Sequence, residues 1–198
     1  NKLIKLNYDV NIWHEKISIP VPTLQTFITN KCNKRCEGCF YAHNLGKDEM
    51  NIEEYKKLVE IYEKGISKVI ILGGEPTIHN DLPEMCLFNQ NKNIKTTIYT
   101  NGFNFTGLEK MIKNHKINIG LLSIRVGVLG LTKGEKNLME IQKTILPLTI
   151  VYMLRQNNID ELLPTVQYAE KNFNCSDFYI STIRDIASTG SFWLDTKD

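Results

Sequence analysis

The sequence has no apolar run long enough to cross a membrane as a helix. A membrane-spanning helix needs about 20 consecutive apolar residues, and no window of the 198 residues approaches that length. No charged and then apolar leader stands at the amino end. From these absences we expect a cytoplasmic protein without a membrane partner.

The sequence also has little excess of either charge. It contains 24 Lys and Arg against 22 Asp and Glu, a formal net charge of +2. Basic residues form only short clusters, such as Lys31 to Arg35, so no electrostatic argument favours a nucleic-acid partner. The length and the ordinary composition, with 42% hydrophobic residues, predict one globular domain with a sizeable core.

Cysteine is sparse except in one short segment, which contains Cys32, Cys36 and Cys39. A structural zinc site needs four Cys or His ligands, and an electron-carrying [4Fe-4S] cluster normally has four cysteines. No clear fourth ligand accompanies this trio, which argues against a non-catalytic iron-sulfur or zinc-binding module. Three thiolates can instead hold an iron-sulfur cube and leave one iron without a protein ligand, where chemistry can occur.

The two other cysteines, Cys86 and Cys175, are isolated in the sequence. We interpret each as a small buried hydrophobic residue, with a hydrogen-atom donor or an extra cluster ligand as the alternative. Disulfides are not expected, because both the cytoplasmic assignment and an oxygen-sensitive cluster call for a reducing compartment.

Two further motifs follow short strand-like runs at the positions where parallel strands would end. Gly73-Gly74-Glu75-Pro76 comes directly after the apolar run 69–72, and Thr100-Asn101-Gly102 follows the run 97–99. Together with Cys-x3-Cys-x2-Cys, these motifs resemble those of the radical S-adenosylmethionine (SAM) enzymes. The resemblance covers roughly residues 22–182.

The resemblance implies two cofactors, a [4Fe-4S] cluster and SAM, and an electron donor such as flavodoxin or ferredoxin. Reductive cleavage of SAM would yield a 5'-deoxyadenosyl radical that abstracts hydrogen from a substrate, either a peptide or a small metabolite. The implied cluster ligands are Cys32, Cys36 and Cys39. The implied SAM-binding residues are Gly73, Gly74, Glu75, Pro76, Asn101, Ser123 and Arg155.

Within the glycine motif, the absence of side chains lets backbone groups approach the methionyl ammonium of SAM, and Pro76 stiffens the exit from the turn. Glu75 either supports this loop or helps to hold the ammonium. His43 and His79 lie in the two site loops and are candidate proton carriers.

Two departures from the family pattern bear on the substrate. Arg125 stands at a strand end where an acidic residue is common, and its guanidinium either pairs with a substrate carboxylate or phosphate or belongs to a structural ion pair. Gly38, before the third cysteine, is reminiscent of the activating enzymes of anaerobic ribonucleotide reductase. An enzyme that makes a glycyl radical on a partner protein is therefore the alternative function.

Strand and helix patterns alternate six times, which predicts an α/β fold with parallel strands and right-handed crossovers. A doubly wound open sheet fits this alternation too, but the resemblance favours a partial (βα)6 TIM-like barrel. Strands are predicted at 68–72, 94–100, 117–124, 148–154 and 176–182, after a first strand at 23–29. Helices are predicted near 107–116, 134–145 and 159–172, besides those beginning at 51 and 81.

We divide the chain into an amino-terminal arm (1–21), a radical SAM core (22–182) and a carboxyl-terminal tail (183–198). Six strands cannot close an eight-stranded barrel, so a lateral gap is expected beside the cluster. An extended chain fits such a gap, and the alternating apolar residues of the arm offer a strand edge for backbone pairing. On this ground a peptide is favoured over a small metabolite by a modest margin.

Overall fold

The computed structural model describes residues 23–36, 39–62, 65–131, 138–141, 146–155 and 157–182. The six strands are β1 (Thr23–Phe27), β2 (Lys68–Leu72), β3 (Lys95–Thr100), β4 (Leu122–Val128), β5 (Leu148–Leu154) and β6 (Cys175–Thr182). The α-helices are α1 (Ile52–Ile61), α2 (Leu82–Asn91), α3 (Phe105–Asn114) and α4 (Leu162–Asn172). The predicted arm and tail lie outside the described residues, so the division into three segments stays a prediction.

All six strands belong to one parallel sheet, whose spatial order is the same as the sequence order. Within the described residues β1 and β6 do not pair, so the sheet is not closed. The predicted α/β partial barrel is therefore confirmed. Since the strands are parallel, the segments that follow their carboxyl ends meet at one edge of the sheet.

Local sequence determines where the first helices begin. The side chain of Asn51 accepts from the backbone N–H of Glu54, and the Glu54 carboxylate accepts from the N–H of Asn51, which completes a capping box for α1. Pro83 lies in the first turn of α2, where its missing N–H costs no helical hydrogen bond. Both starts were predicted.

The helices pack on one face of the sheet, which we call the packed face. Along β4 its residues are Leu122, Ile124, Val126 and Val128, which are all buried in the core. The alternate residues Ser123, Arg125 and Gly127 lie on the opposite face, which we call the inner face, and they are only partly buried.

The packed face buries a polar side chain, Asn89, and a thiol, Cys86. The Asn89 side chain of α2 donates to the Tyr55 hydroxyl at 2.7 Å and to Oγ1 of Thr96 at 3.0 Å, which joins α1, α2 and β3. Cys86 is 2% exposed, and burial raises the pKa of its thiol to about 12. Its interpretation as a small buried hydrophobic residue is confirmed. Cys175 begins β6 and is partly buried against the core.

One predicted strand is wrong in its position. Residues Ile119–Leu121 form a 3-10 turn, in which the Asn118 side chain accepts from the N–H of Gly120, and β4 runs from Leu122 to Val128 instead of 117–124. The strand is displaced because its buried alternation begins only at Leu122. Most of the helix predicted near 134–145 lies outside the described residues, and of the residues that are described there, Leu138–Glu140 form a 3-10 turn.

No helix in the described part of the chain is both long and apolar enough to span a membrane.

Candidate active site

The three cysteines lie on the segment that follows β1, at the carboxyl edge of the sheet. Residues after the trio fold back against the end of β1: the Tyr41 ring stacks on Phe27 at 4.8 Å between centroids, and its hydroxyl donates to Oδ1 of Asn30 at 2.6 Å. The backbone N–H of Gly46 also donates to the carbonyl oxygen of Asn30. The cysteine segment is therefore a loop with both of its ends attached to the sheet edge.

Cys32, Cys36 and Cys39 are partly buried, and none of them is in a disulfide. The backbone N–H of Lys34 donates to Sγ of Cys32 at 3.4 Å. Within the described residues, no three His, Cys, Asp or Glu side chains are already gathered closely enough to hold a metal ion. The donor set and its partial exposure nevertheless fit a thiolate-bound metal cluster, which requires accessible, reduced cysteines.

The glycine motif, residues 73–76, packs directly on the cysteine loop. The N–H of Gly74 donates to the carbonyl oxygen of Thr29, and that of Glu75 donates to the carbonyl oxygen of Lys31, both at 2.8 Å. A Cβ on Gly73 would lie 2.6 Å from the Thr29 oxygen, and one on Gly74 would lie 2.2 Å from the Lys31 oxygen. The glycines are thus required for close contact between two loops, in addition to any approach to SAM.

Glu75 is 1% exposed, and both of its carboxylate oxygens accept hydrogen bonds. Oε1 accepts from the N–H of Thr77 at 3.1 Å, from its hydroxyl at 2.6 Å and from the Thr100 hydroxyl at 2.7 Å, while Oε2 accepts from the N–H of Asn101 at 2.7 Å. Of the two roles considered for Glu75, these bonds are those of a residue that supports the loop. They join the glycine motif to the end of β3.

Asn101 extends this connection to the cysteines. Its side-chain amide donates to Oδ1 of Asn33 at 2.8 Å and lies 3.9 Å from Sγ of Cys32, while its own Oδ1 accepts from the N–H of Phe103. The side chain is 8% exposed. The ends of β1, β2 and β3 are thereby connected into one hydrogen-bonded unit around Cys32.

The other two predicted SAM-binding residues occupy different positions. Arg155 directly follows β5 at the carboxyl edge, where its N–H donates to Oδ1 of Asn158 at 2.7 Å. Ser123 is the second residue of β4, near its amino end. The structure therefore brings Arg155 to the edge that carries the motifs but does not bring Ser123 there, because β4 begins later than the sequence pattern indicates.

The two candidate proton carriers also differ. His79 is 7% exposed, its Nδ1 accepts from the N–H of Asp81 at 3.0 Å, and its Nε2 lies 4.0 Å from Oε1 of Glu49. Burial alone would raise the pKa of Glu49, but hydrogen bonds from Lys31 and Thr29 and the charges of His79 and Lys31 lower it overall. His43 lies exposed in the 3-10 turn Ala42–Asn44.

A family model described as "Radical SAM superfamily" matches residues 26–180, which include all three motifs. The chain belongs to the radical SAM superfamily. Radical SAM proteins are enzymes that use a [4Fe-4S] cluster and SAM, so the predictions of an enzyme and of these two cofactors are confirmed.

The relatives of this radical SAM chain include GTP 3',8-cyclases. A probable GTP 3',8-cyclase of Thermococcus kodakarensis is 27% identical over 197 residues, covering 90% of this chain and 63% of the relative. The GTP 3',8-cyclase of Helicobacter pylori is 29% identical over 168 residues, covering 74% of this chain and 51% of the relative. The chain thus spans between half and two thirds of the length of these relatives.

The same radical SAM fold occurs among solved structures. Streptococcus suis SuiB bound to S-adenosylmethionine aligns with a TM-score of 0.69 and 17% identity, over 93% of this chain and 46% of SuiB. At this identity the likeness shows the fold, and it carries no information about the substrate of this chain.

Sequence reasoning missed the residues that hold the radical SAM motifs together. Asn33 accepts from Asn101, and Thr77 and Thr100 donate to Glu75. Asn33 directly follows Cys32, but its partner Asn101 lies 68 residues away in the chain. Thr77 directly follows Pro76, and its hydrogen bond to Glu75 forms only because the chain turns there. Only the assignment of Thr100 to a strand end carried a usable signal.

Proposed function

We propose that Cys32, Cys36 and Cys39 hold the [4Fe-4S] cluster and that the chain binds SAM beside it. The observation that carries this proposal is the hydrogen-bonded unit around Cys32, in which the cysteine loop, the glycine motif and Asn101 share one sheet edge. When bound, the cluster and SAM supply a 5'-deoxyadenosyl radical that abstracts hydrogen from the substrate.

In this proposal the chain orients SAM and excludes competing reactions. The backbone of Gly73 and Gly74 and the ring of Pro76 form one wall of the SAM site, and Glu75 holds that wall through its buried hydrogen bonds. Asn101 and Arg155 contribute polar groups from the ends of β3 and β5. Ser123 is no longer included, since it lies near the opposite end of β4.

We propose a purine nucleotide of the GTP class as the first substrate to test. Support comes from GTP 3',8-cyclases that are 27% and 29% identical over most of this chain. The sequence argument for a peptide depended on the lateral gap, and an open sheet admits a nucleotide equally well. Gly38, on which the glycyl-radical alternative depends, lies outside the described residues, and among the described residues no specific contact favours that alternative. The electron donor, a flavodoxin or ferredoxin, is likewise a proposal.

The experiment is SAM cleavage by the anaerobically reconstituted protein in the presence of ribose-deuterated GTP. We expect 5'-deoxyadenosine that carries deuterium, because the radical abstracts hydrogen from the substrate. Unlabelled 5'-deoxyadenosine would contradict GTP as substrate while leaving the radical chemistry in place, and a peptide library would then be tested. Complete absence of 5'-deoxyadenosine with dithionite as reductant would overturn the proposed activity itself.

A further inference from the structure

The inner face of the sheet carries an arginine between two tyrosines. Arg125 of β4 lies beside Tyr99 of β3 in the parallel register, and its Nη1 donates to the Tyr99 hydroxyl at 2.6 Å. Its guanidinium carbon lies 5.3 Å from the centroid of the Tyr99 ring and 5.0 Å from that of Tyr179 on β6. Both distances are within the range of a cation–π contact. We call Tyr99, Arg125 and Tyr179 the inner-face cluster.

The guanidinium keeps most of its hydrogen-bonding capacity. Within the part of the chain that the structure describes, none of the ion pairs includes Arg125, and Tyr99 is the one hydrogen-bond partner of its side chain. Nε is buried without a partner. A structural ion pair, one of the two roles that the sequence allows for Arg125, is therefore not formed with the described residues.

The N–H donors that remain available on the Arg125 guanidinium determine which ligands it can bind. Because Nη1 is bonded to Tyr99, the edge formed by Nε and Nη2 remains, and these two N–H groups are parallel donors that match a carboxylate or a phosphate. A buried donor without a partner is unfavourable, and an anion bound at this edge would provide the missing partner. A small side-chain adjustment, common on ligand binding, would open Nε to the anion.

Two neighbouring features on the inner face bear on ligand binding. A Cβ built on Gly127, two residues beyond Arg125 toward the carboxyl edge, meets no atom within 4 Å. Two residues before Tyr99 on β3, toward the amino edge, Oγ1 of Thr97 is a second buried polar atom without a partner. Arg125 thus lies between an open space and another unsatisfied group.

We propose that the inner-face cluster binds an anionic oxygen group of the substrate, a phosphate or a carboxylate, through the guanidinium of Arg125. Tyr99 fixes the orientation of the guanidinium, and the partly exposed ring of Tyr179 covers its other side. This inference rests on the proposed function, because it takes the inner face as the substrate side of the radical site. Arg125 precedes the end of β4 by three residues, about 10 Å, which separates it from the edge proposed for SAM.

The test measures anion binding to the reconstituted, SAM-loaded protein by titration calorimetry, with pyrophosphate and succinate as separate probes. We expect wild type to bind one of them and Arg125→Gln to weaken that binding by about tenfold or more, since a charge-assisted pair is lost. Arg125→Lys should weaken it by about threefold, because an ammonium cannot make two parallel bonds. The probe that binds distinguishes phosphate from carboxylate.

The matched control is Lys95→Gln, which removes one positive charge from an exposed position at the start of β3. We expect this variant to bind the anion within about twofold of wild type. SAM affinity, measured on the same reconstituted variants before SAM is added, should change at least five times less than anion affinity in Arg125→Gln. If Arg125→Gln does not fold, Arg125→Lys gives the same comparison.

Three results would overturn the inference: no binding of either probe by wild type, equal losses in Arg125→Gln and Lys95→Gln, or an equal loss of SAM affinity. The outcome is separable from that of the proposed function. If Arg125→Gln turns over GTP with an unchanged KM, the anion site is contradicted and the proposed function is supported. If succinate binding depends on Arg125 but GTP is not turned over, the anion site is supported and GTP as substrate is contradicted.

Discussion

The Glu75–Asn101 network at the carboxyl edge of β1–β3 and the inner face around Arg125 differ in how completely their polar side chains are bonded. At the carboxyl edge of β1–β3, Glu75 and Asn101 are buried, and their described hydrogen bonds connect three loops. On the inner face of β4–β6, Arg125 keeps an unpaired Nε, Gly127 faces open space, and no residue of β6 is fully buried.

The two regions suit two different requirements of a radical enzyme. Radical chemistry needs the cluster and SAM held in one geometry, which a preorganised, fully bonded site provides. Recognition of a substrate needs donors and space that remain available until it binds. We infer that the Glu75–Asn101 network fixes the chemistry and that the inner face around Arg125 selects the substrate.

Loss of one of the three cysteines should have the largest effect and tests the first side of this comparison. Each of Cys32→Ala, Cys36→Ala and Cys39→Ala should abolish SAM cleavage, because two thiolates do not hold the cluster in a working position. Cys86→Ala and Cys175→Ala are the controls and should retain the cluster. Iron and sulfide counts on the five anaerobically purified variants check this, and full occupancy in Cys36→Ala would remove that residue from the ligand set.

A methyl group at Gly74 should have the next largest effect. The sequence leads one to expect that a side chain there disturbs SAM alone, but its Cβ would lie 2.2 Å from the Lys31 carbonyl oxygen and 3.0 Å from Cβ of Cys32. Gly74→Ala should therefore lower cluster content and SAM affinity together, each by about tenfold or more. The visible absorbance of the cluster and iron analysis measure cluster content, and SAM titration measures SAM affinity.

The control for this variant is Gly46→Ala in the same loop region, whose Cβ would make only ordinary contacts at 3.9 Å. It should keep its cluster. Gly74→Ala with normal cluster content and weak SAM binding would show that the loop contact is less tightly coupled than the distances indicate.

The sequence could predict the fold and the place of the site because both depend on local patterns. An apolar run before the glycine motif locates β2, a run of β-branched and aromatic residues before Asn101 locates β3, and Asn51 with Glu54 locates the start of α1. It could not predict the partners of Glu75, which come from β3 and from a turn, since hydrogen bonds between distant segments leave no periodic signal. The start of β4 was misplaced because Asn118 favours a 3-10 turn within an apolar stretch.

Removing the charge of Glu75 should have an intermediate effect. In Glu75→Gln an amide nitrogen replaces one oxygen and meets N–H or O–H donors, so at least one buried donor is left unsatisfied. We expect the free energy of unfolding to fall by about 3 kcal/mol, within the range for buried hydrogen bonds to a charged group. Urea unfolding measures the loss, and Glu53→Gln on the exposed start of α1 should change it by less than about 0.5 kcal/mol.

The smallest effects come from a matched pair of Tyr→Phe variants, one on each face of the sheet. The hydroxyl of Tyr55 is buried on the packed face and accepts from Asn89, so Tyr55→Phe should lower the free energy of unfolding by about 1 kcal/mol. The hydroxyl of Tyr99 accepts from Arg125 on the partly open inner face, where water can replace it, so Tyr99→Phe should cost less than about 0.5 kcal/mol. Urea unfolding of the two variants compares them directly. Equal losses would mean that the inner face is as tightly organised as the core, and the inferred division between fixed chemistry and open recognition would then fail.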